Sequence, residues 1–248
     1  YRFTKESNAE ARRLFERAID FDRSFAAAFA GLAYTHLMDT AFGYVDTRDP
    51  SLEQALSAAE TAIALDEKDA FAHCVLGRVF TYLGKGNAAI EEVRTAIELT
   101  PSLALAHYVM GQAMMAVGRP QESIDATDEA ARLSPHDPFL WLFYMTRGHA
   151  YNLMGDRERA IEWIERARRR TRKIEFWISA ILASSLGHLG RYEEARDALD
   201  KARQSEPRFS YAFIKRNLPF GRHEHFKSWF EGLRKAGLDI PDEPTATD

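Results

Sequence analysis

The chain has 248 residues, 46% of them apolar, 28% charged and 12% aromatic, with a formal net charge of −4. That balance suits a folded domain with a sizeable core, and its mild acidity disfavours nucleic acid as the main partner. The longest apolar run falls short of the roughly 18 residues a membrane span needs, so the sequence predicts neither a span nor a membrane contact. Residues 8–22 read as an N-terminal helix, followed by five helix pairs at 26–67, 70–101, 104–135, 138–172 and 176–207. Ten extra residues fall at 39–50 of the first pair. A C-terminal cap at 210–239 opens with Ser210–Lys215, is interrupted by Pro219 and ends in a helix over His223–Ala236, with Gly237 as its stop. Residues 240–248 are polar and Pro-containing and read as a mobile tail.

A repeat sets this division. Gly77–Pro101 and Gly111–Pro135 align without a gap, 34 residues apart, the period of the tetratricopeptide helix–turn–helix unit. A small residue late in the second helix, B, recurs as Ala18, Ala62, Ala96, Ala130, Ala167 and Ala202. The residue opening the first helix, A, recurs as Phe29, His73, His107, Tyr144 and Ser179. The steps from Ala to the next opener are 11, 11, 11, 14 and 12, and from opener to Ala 33, 23, 23, 23 and 23. The rhythm therefore has three insertions: ten residues near Asp39–Pro50, three near Pro135–Leu140 and one near Thr171–Phe176. Gly84, Gly118, Gly155 and Gly190 share one position after helix A, where a left-handed residue reverses the chain. Gly77, Gly111, Gly148 and Ala183 recur inside helix A, where helix B must come close. The predicted fold is all-α: a right-handed α-solenoid of about five tetratricopeptide pairs with capping helices, continuous over 1–239.

Longer stretches carry a narrower resemblance. "ARRLFERAIDFD", "AFAGLAYTHLMDTAFGYVDTRDPSLEQALSAAETAIALDEKDAFAHCVLGRVF", "LSPHDPFLWLFYMTRGHAYNLMGDRERAIEWIERA" and "NLPFGRHEHFKSWFEGLRKAGL" together resemble the C-terminal repeat region of bacterial class III adenylate/guanylate cyclases. Similar regions also follow winged-helix DNA-binding domains in some regulators. The resemblance covers nearly the whole chain and implies a regulatory module of cyclic nucleotide signalling. The cyclase's metal-binding aspartates and nucleotide contacts belong to an N-terminal domain outside this sequence, so none is carried over. The opening residue Tyr1, with no leader pattern after it, agrees with reading the chain as a piece of a longer or processed protein.

In such solenoids the A helices line the concave face. Reading two positions before each opener, one past it and then onward along the helix gives Ala27, Ala30, Tyr34 and Leu37, then Phe71, Cys74, Arg78 and Thr81. The third and fourth pairs give Leu105, Tyr108, Gln112 and Met115, then Leu142, Met145, His149 and Asn152. The fifth gives Trp177, Ala180, Ser184 and His188. From these, Tyr34, Phe71, Arg78, Leu105, Tyr108, Gln112, Met115, Met145, His149, Asn152, Trp177 and Ser184 are the candidate partner groove. The surface is apolar and aromatic, and suits a protein or peptide segment. A second copy of the chain is another candidate partner. Clamps for a peptide's terminal carboxylate in this repeat class use Lys and Asn pairs, and only Arg78 is basic at such a position here, which disfavours that ligand. Phe42 and Tyr44 mark the ten-residue insertion, which reads as a longer helix A with a wider turn, against the sharper idea of a gate over the groove.

Several tempting sites read as structure. His73 and His107 stack one repeat apart, at a position that takes a packing side chain, with no carboxylate or thiol cluster to complete a metal site. His223 and His225 are two apart, not the four a helical zinc pair needs. Arg166–Lys173 is a basic run at a helix end, where cations complement the dipole. The lone Cys74 excludes an internal disulfide, has no base at a telling spacing and fits a reducing, cytoplasmic setting. No catalytic constellation, cofactor motif or metal site is predicted. The chain reads as non-catalytic, with any cyclase chemistry residing in the absent domain.

Overall fold

The computed structural model describes residues 4–45, 48–171, 175–217 and 226–241. Pro219, the His223–His225 pair and residues 242–248 lie outside that set, as do Arg172 and Lys173 of the basic run. Among the described residues there are thirteen α-helices and no strand, and no helix is long and apolar enough to cross a membrane. A single helix, α1 (Lys5–Phe21), precedes five A/B pairs. These are α2 (Ala26–Ala41) with α3 (Arg48–Leu65), α4 (Ala70–Tyr82) with α5 (Gly86–Leu99), α6 (Ala104–Ala116) with α7 (Pro120–Leu133), α8 (Leu140–Met154) with α9 (Arg157–Arg168), and α10 (Glu175–His188) with α11 (Tyr192–Ser205). Then come α12 (Tyr211–Asn217) and α13 (Lys227–Lys235). This is the α-solenoid class.

The repeated residues explain the pairs. Ala62, Ala96, Ala130, Ala167 and Ala202 have no exposed surface, because each sits where neighbouring helices meet. Ala18 of α1 is only half-buried, as expected of a first helix covered on one side. Among the repeated helix-A glycines the tightest approach is at Gly77, where an added Cβ would stand 2.4 Å from Val93 Cγ2 and 3.0 Å from the Ala89 carbonyl of the partner helix. Gly84, Gly118, Gly155 and Gly190 all have positive φ, between 73° and 90°. Gly43, at φ 66°, is their counterpart in the first pair. It shows how the ten inserted residues are spent: α2 and α3 are 16 and 18 residues long, against 13 and 14 for α4 and α5, and the turn between them is wider. The turns from helix B to the next helix A are tied by acidic side chains. Asp66, Asp137 and Glu206 each accept from a backbone N–H two residues on, and Asp69 caps α4 through Phe71 and Ala72.

Contacts divide the chain within α8 into one compact unit ending at Thr146 and a second beginning at Arg147. The first is centred on Leu37, Leu52, Ala55, Ala59, Val75 and Val79, all buried. Its α1 is fastened to α2 by polar contacts: Asn8 donates to the Thr35 carbonyl and to Asp39, and Arg12 pairs with Asp39. The second unit is centred on Ile164, Ile178, Leu199, Ile214, Trp229 and Leu233.

Candidate functional site

The two units treat their A-helix faces differently. In the first, α2, α4, α6 and the start of α8 surround a cavity of about 270 Å³. Its lining includes Tyr34, Met38 and Phe42 from the first pair, Arg78 from α4, Leu105 and Tyr108 from α6, and Asp137, Pro138, Phe139, Leu142 and Phe143 around the start of α8. Four of the twelve candidate groove residues are therefore here: Tyr34, Arg78, Leu105 and Tyr108. Phe71 is half-buried beside them, with its ring 5.6 Å from that of Tyr34. Gln112 and Met115 are buried, and Met145 is half-buried.

Aromatic rings give this cavity its shape. Tyr108 and Phe143 stack with centroids 5.0 Å apart, and Phe42 stacks on Tyr44 at 5.6 Å and tilts against Trp141 at 6.5 Å. Electrostatically the lining is mostly neutral, with one cation, Arg78, and one acid, Asp137. Burial pushes the Tyr34 and Tyr108 phenols up, opposed by the nearby Arg78 charge. Burial likewise pushes the Cys74 thiol up to about 12, again against Arg78, so Cys74 stays protonated and unreactive near neutral pH. The Tyr108 hydroxyl is buried beside Thr146 without a well-formed hydrogen bond. Nothing here has the nucleophile–base geometry of a catalytic site.

In the second unit the corresponding face is covered by the chain's own α13. Ser184 donates to the Trp229 carbonyl at 2.9 Å, His188 Nε2 lies 2.7 Å from the Ser228 carbonyl, and Arg157 donates to the Ser228 hydroxyl at 2.7 Å. The His149 ring packs 4.9 Å from Trp229 and 5.5 Å from Phe226, and Trp177 lies 6.2 Å from Trp229. Asn152 is fully buried and donates to Ser185 at 2.6 Å. Close approach is possible because Gly187 and Gly232 meet: a Cβ on Gly187 would stand 2.4 Å from the Gly232 carbonyl. The sequence reading of His149, Asn152, Trp177 and Ser184 as partner-facing did not anticipate this. The neighbour Ser184 finds is a helix some 45 residues further along the chain.

The cavity residues that sequence reasoning missed are Met38, Asp137, Pro138, Phe139 and Phe143, with Phe42 noted only as part of a loop. Their signal was available. Phe42 lies in the ten-residue insertion, and Asp137–Phe139 lie in the three-residue one. The remaining candidates have local roles. His73 bridges Glu92 at 2.7 Å and the Glu67 carbonyl at 3.1 Å, and His107 faces the Pro101 carbonyl at 2.9 Å. Arg166 and Arg168 pair with Glu162 and Glu165 at 2.6 Å. No cluster of three or more His, Cys, Asp or Glu side chains suited to a metal occurs among the described residues.

Comparison with known proteins agrees with this architecture. Residues 77–118 match a family described as TPR repeat, and residues 143–170 one described as tetratricopeptide repeat. No curated protein matches the chain. Among solved structures, the APC/C hetero-tetramer Cut9–Hcn1 is similar over 86% of this chain at 21% identity and a TM-score of 0.71, and this chain spans only 40% of that chain's length. Pseudomonas aeruginosa pilF is similar over 87% of this chain and 88% of its own, at 21% identity and a TM-score of 0.61. A thermophilic TPR protein of Thermus thermophilus is similar over 75% and 98% respectively, at 23% identity and a TM-score of 0.60. The class is thus a helix-pair solenoid, with tetratricopeptide repeats recognised at residues 77–118 and 143–170.

Proposed function

We propose that the chain is a non-catalytic interaction and regulatory module of a cytoplasmic nucleotide cyclase. In this reading a partner protein segment or a second copy of the chain docks on the A-helix face of the first unit. The observation that carries the docking site is the contrast between the two faces. The second unit's face is filled by α13, while the first unit's retains an aromatic cavity with Tyr34, Phe71 and Leu105 half-buried at its edge. A partly exposed apolar surface of this kind suits an apolar anchor from a partner. The cyclase attachment is supported by the sequence resemblance. Class III cyclases build their active sites between two catalytic domains, so a module that pairs or separates chains sets activity.

The test uses the full-length protein. It forms cyclic nucleotide from ATP or GTP, and this chain alone forms none. Tyr34→Ala and Leu105→Ala each weaken partner or self-association by about 1–3 kcal/mol, as interface anchors do, and shift the cyclization rate several-fold. A full-length protein without cyclase activity defeats the attachment. A rate and an association constant indifferent to both substitutions defeat the docking site.

A further inference from the structure

Arg78 is the cavity's one cation: it faces the Tyr34 hydroxyl, and among the described residues it has no counter-ion. It is 4% exposed and lines the cavity, its Nε has no hydrogen-bond partner, and among the described residues no carboxylate pairs with it. Its Cζ lies 5.6 Å from the Tyr108 ring centroid, a cation–π contact that leaves the charge without a counter-ion. A guanidinium does not shed its proton when buried, so the cavity carries a permanent positive charge. Leaving such a charge unpaired is costly, and Arg12, a half-buried arginine of the same unit, is matched by Asp39. The cavity's own acid, Asp137, is engaged elsewhere: its carboxylate accepts from the Phe139 N–H at 2.7 Å in a turn. An apolar anchor from a partner protein leaves Arg78 as it stands. Something anionic does not.

We infer that the first unit's cavity binds a small amphiphilic carboxylate, with its anionic head against Arg78 and its apolar body among Phe42, Leu105, Phe139 and Leu142. The walls that carry that body are hydrocarbon and aromatic, and a volume of about 270 Å³ suits a compact molecule. A peptide backbone inside the cavity, unlike a segment laid over its edge, is a poorer fit, because each of its residues brings an N–H and a C=O that need partners. The lining offers little beyond one guanidinium, one engaged carboxylate and buried phenols. Arg–carboxylate pairing in a dry site gives both strength and direction. This goes beyond partner docking, because it makes the module responsive to a metabolite-sized acid, and its test needs no partner protein.

The 248-residue chain is titrated calorimetrically with 3-phenylpropionate and with 3-phenylpropionamide, which matches it in shape but carries no charge. The acid binds at least ten-fold more tightly than the amide. Arg78→Met removes that preference without lowering the thermal unfolding midpoint, since it deletes an unpaired buried charge. Phe42→Ala weakens acid and amide alike by several-fold. Equal binding of acid and amide to the unaltered chain overturns the proposal whether or not any variant folds. So does a preference that survives Arg78→Met, an absence of acid binding at tens of millimolar, or binding of the peptide Ala-Ala-Phe with a free carboxylate in place of the small acid.

Discussion

The two units are built from the same helix pair and end in opposite states. In the second, the A-helix face is closed by α13 through Trp229, Ser228 and the Gly187–Gly232 approach. In the first, no described helix takes that place, and aromatic side chains frame a cavity around Arg78. Closing a face needs a helix that can come within backbone contact distance, which two facing glycines permit. Keeping one open needs bulky side chains that prop the helices apart, which Phe42, Tyr108 and Phe143 supply. The same repeat therefore serves as core or as cavity wall according to what is laid on it.

Removing the main occupant is the strongest challenge to this contrast. Trp229 has no exposed surface, and Trp229→Ala is expected to cost about 3–5 kcal/mol in denaturant unfolding. Phenylpropionate binding by the first unit should survive under native conditions. A loss below about 1 kcal/mol would mean that α13 is only loosely seated, and the contrast would fall.

Acidification is expected to come next. Burial pushes the His149 imidazole down from 6.5 to about 3. The folded state resists the proton that the unfolded chain accepts, so this stabilisation is complete above pH 6.5 and shrinks as pH falls toward 3. One such group changes stability by about 1.4 kcal/mol per pH unit, or about 2 kcal/mol between pH 6.5 and 5. His36 in the first unit, pushed down to about 4 by burial and then by Arg12, acts with the same sign. Unfolding curves across this range should therefore flatten in His149→Phe but not lose all slope. An unchanged slope would show that His149 is not held neutral against α13.

The smallest effect compares equivalent glycines. Gly77→Ala drives its Cβ against Val93, a β-branched side chain with little rotamer freedom, and should cost about 1–2 kcal/mol net of the helix preference of Ala. Gly148→Ala meets Cδ1 and Cγ1 of the buried Ile164 at 2.8 Å and the Ala160 carbonyl at 3.2 Å, a milder overlap than at Gly77, and should cost less, about 1 kcal/mol. Equal costs in thermal unfolding would mean that the two pairs are packed alike.

The helix pairs were legible because close packing leaves periodic marks. A buried Ala such as Ala96 and a turn glycine such as Gly84 are demanded by local geometry, and their spacing follows. Gly43 escaped because the inserted residues lengthen α2 and shift the turn three places from the register of the other pairs. On the A-helix face, position alone pointed to Tyr34, Arg78, Leu105 and Tyr108. It said nothing of what lies over each face. The contact of Ser184 with Trp229 spans 45 residues, and no periodic signal records it. The lack of a counter-ion for Arg78 is likewise a fact of three dimensions: a sequence shows many acids, and only the fold shows that no described one reaches it.

Part of the cavity wall comes from the two places where the repeat is broken, Phe42 in one and Asp137–Phe139 in the other. Solenoids grow by copying regular units in tandem, and such a copy would lengthen this chain without copying either irregularity. Array length and the irregular part of the cavity wall can thus change separately: the stack can expand by duplication, while that part of the wall is set by two short stretches of sequence.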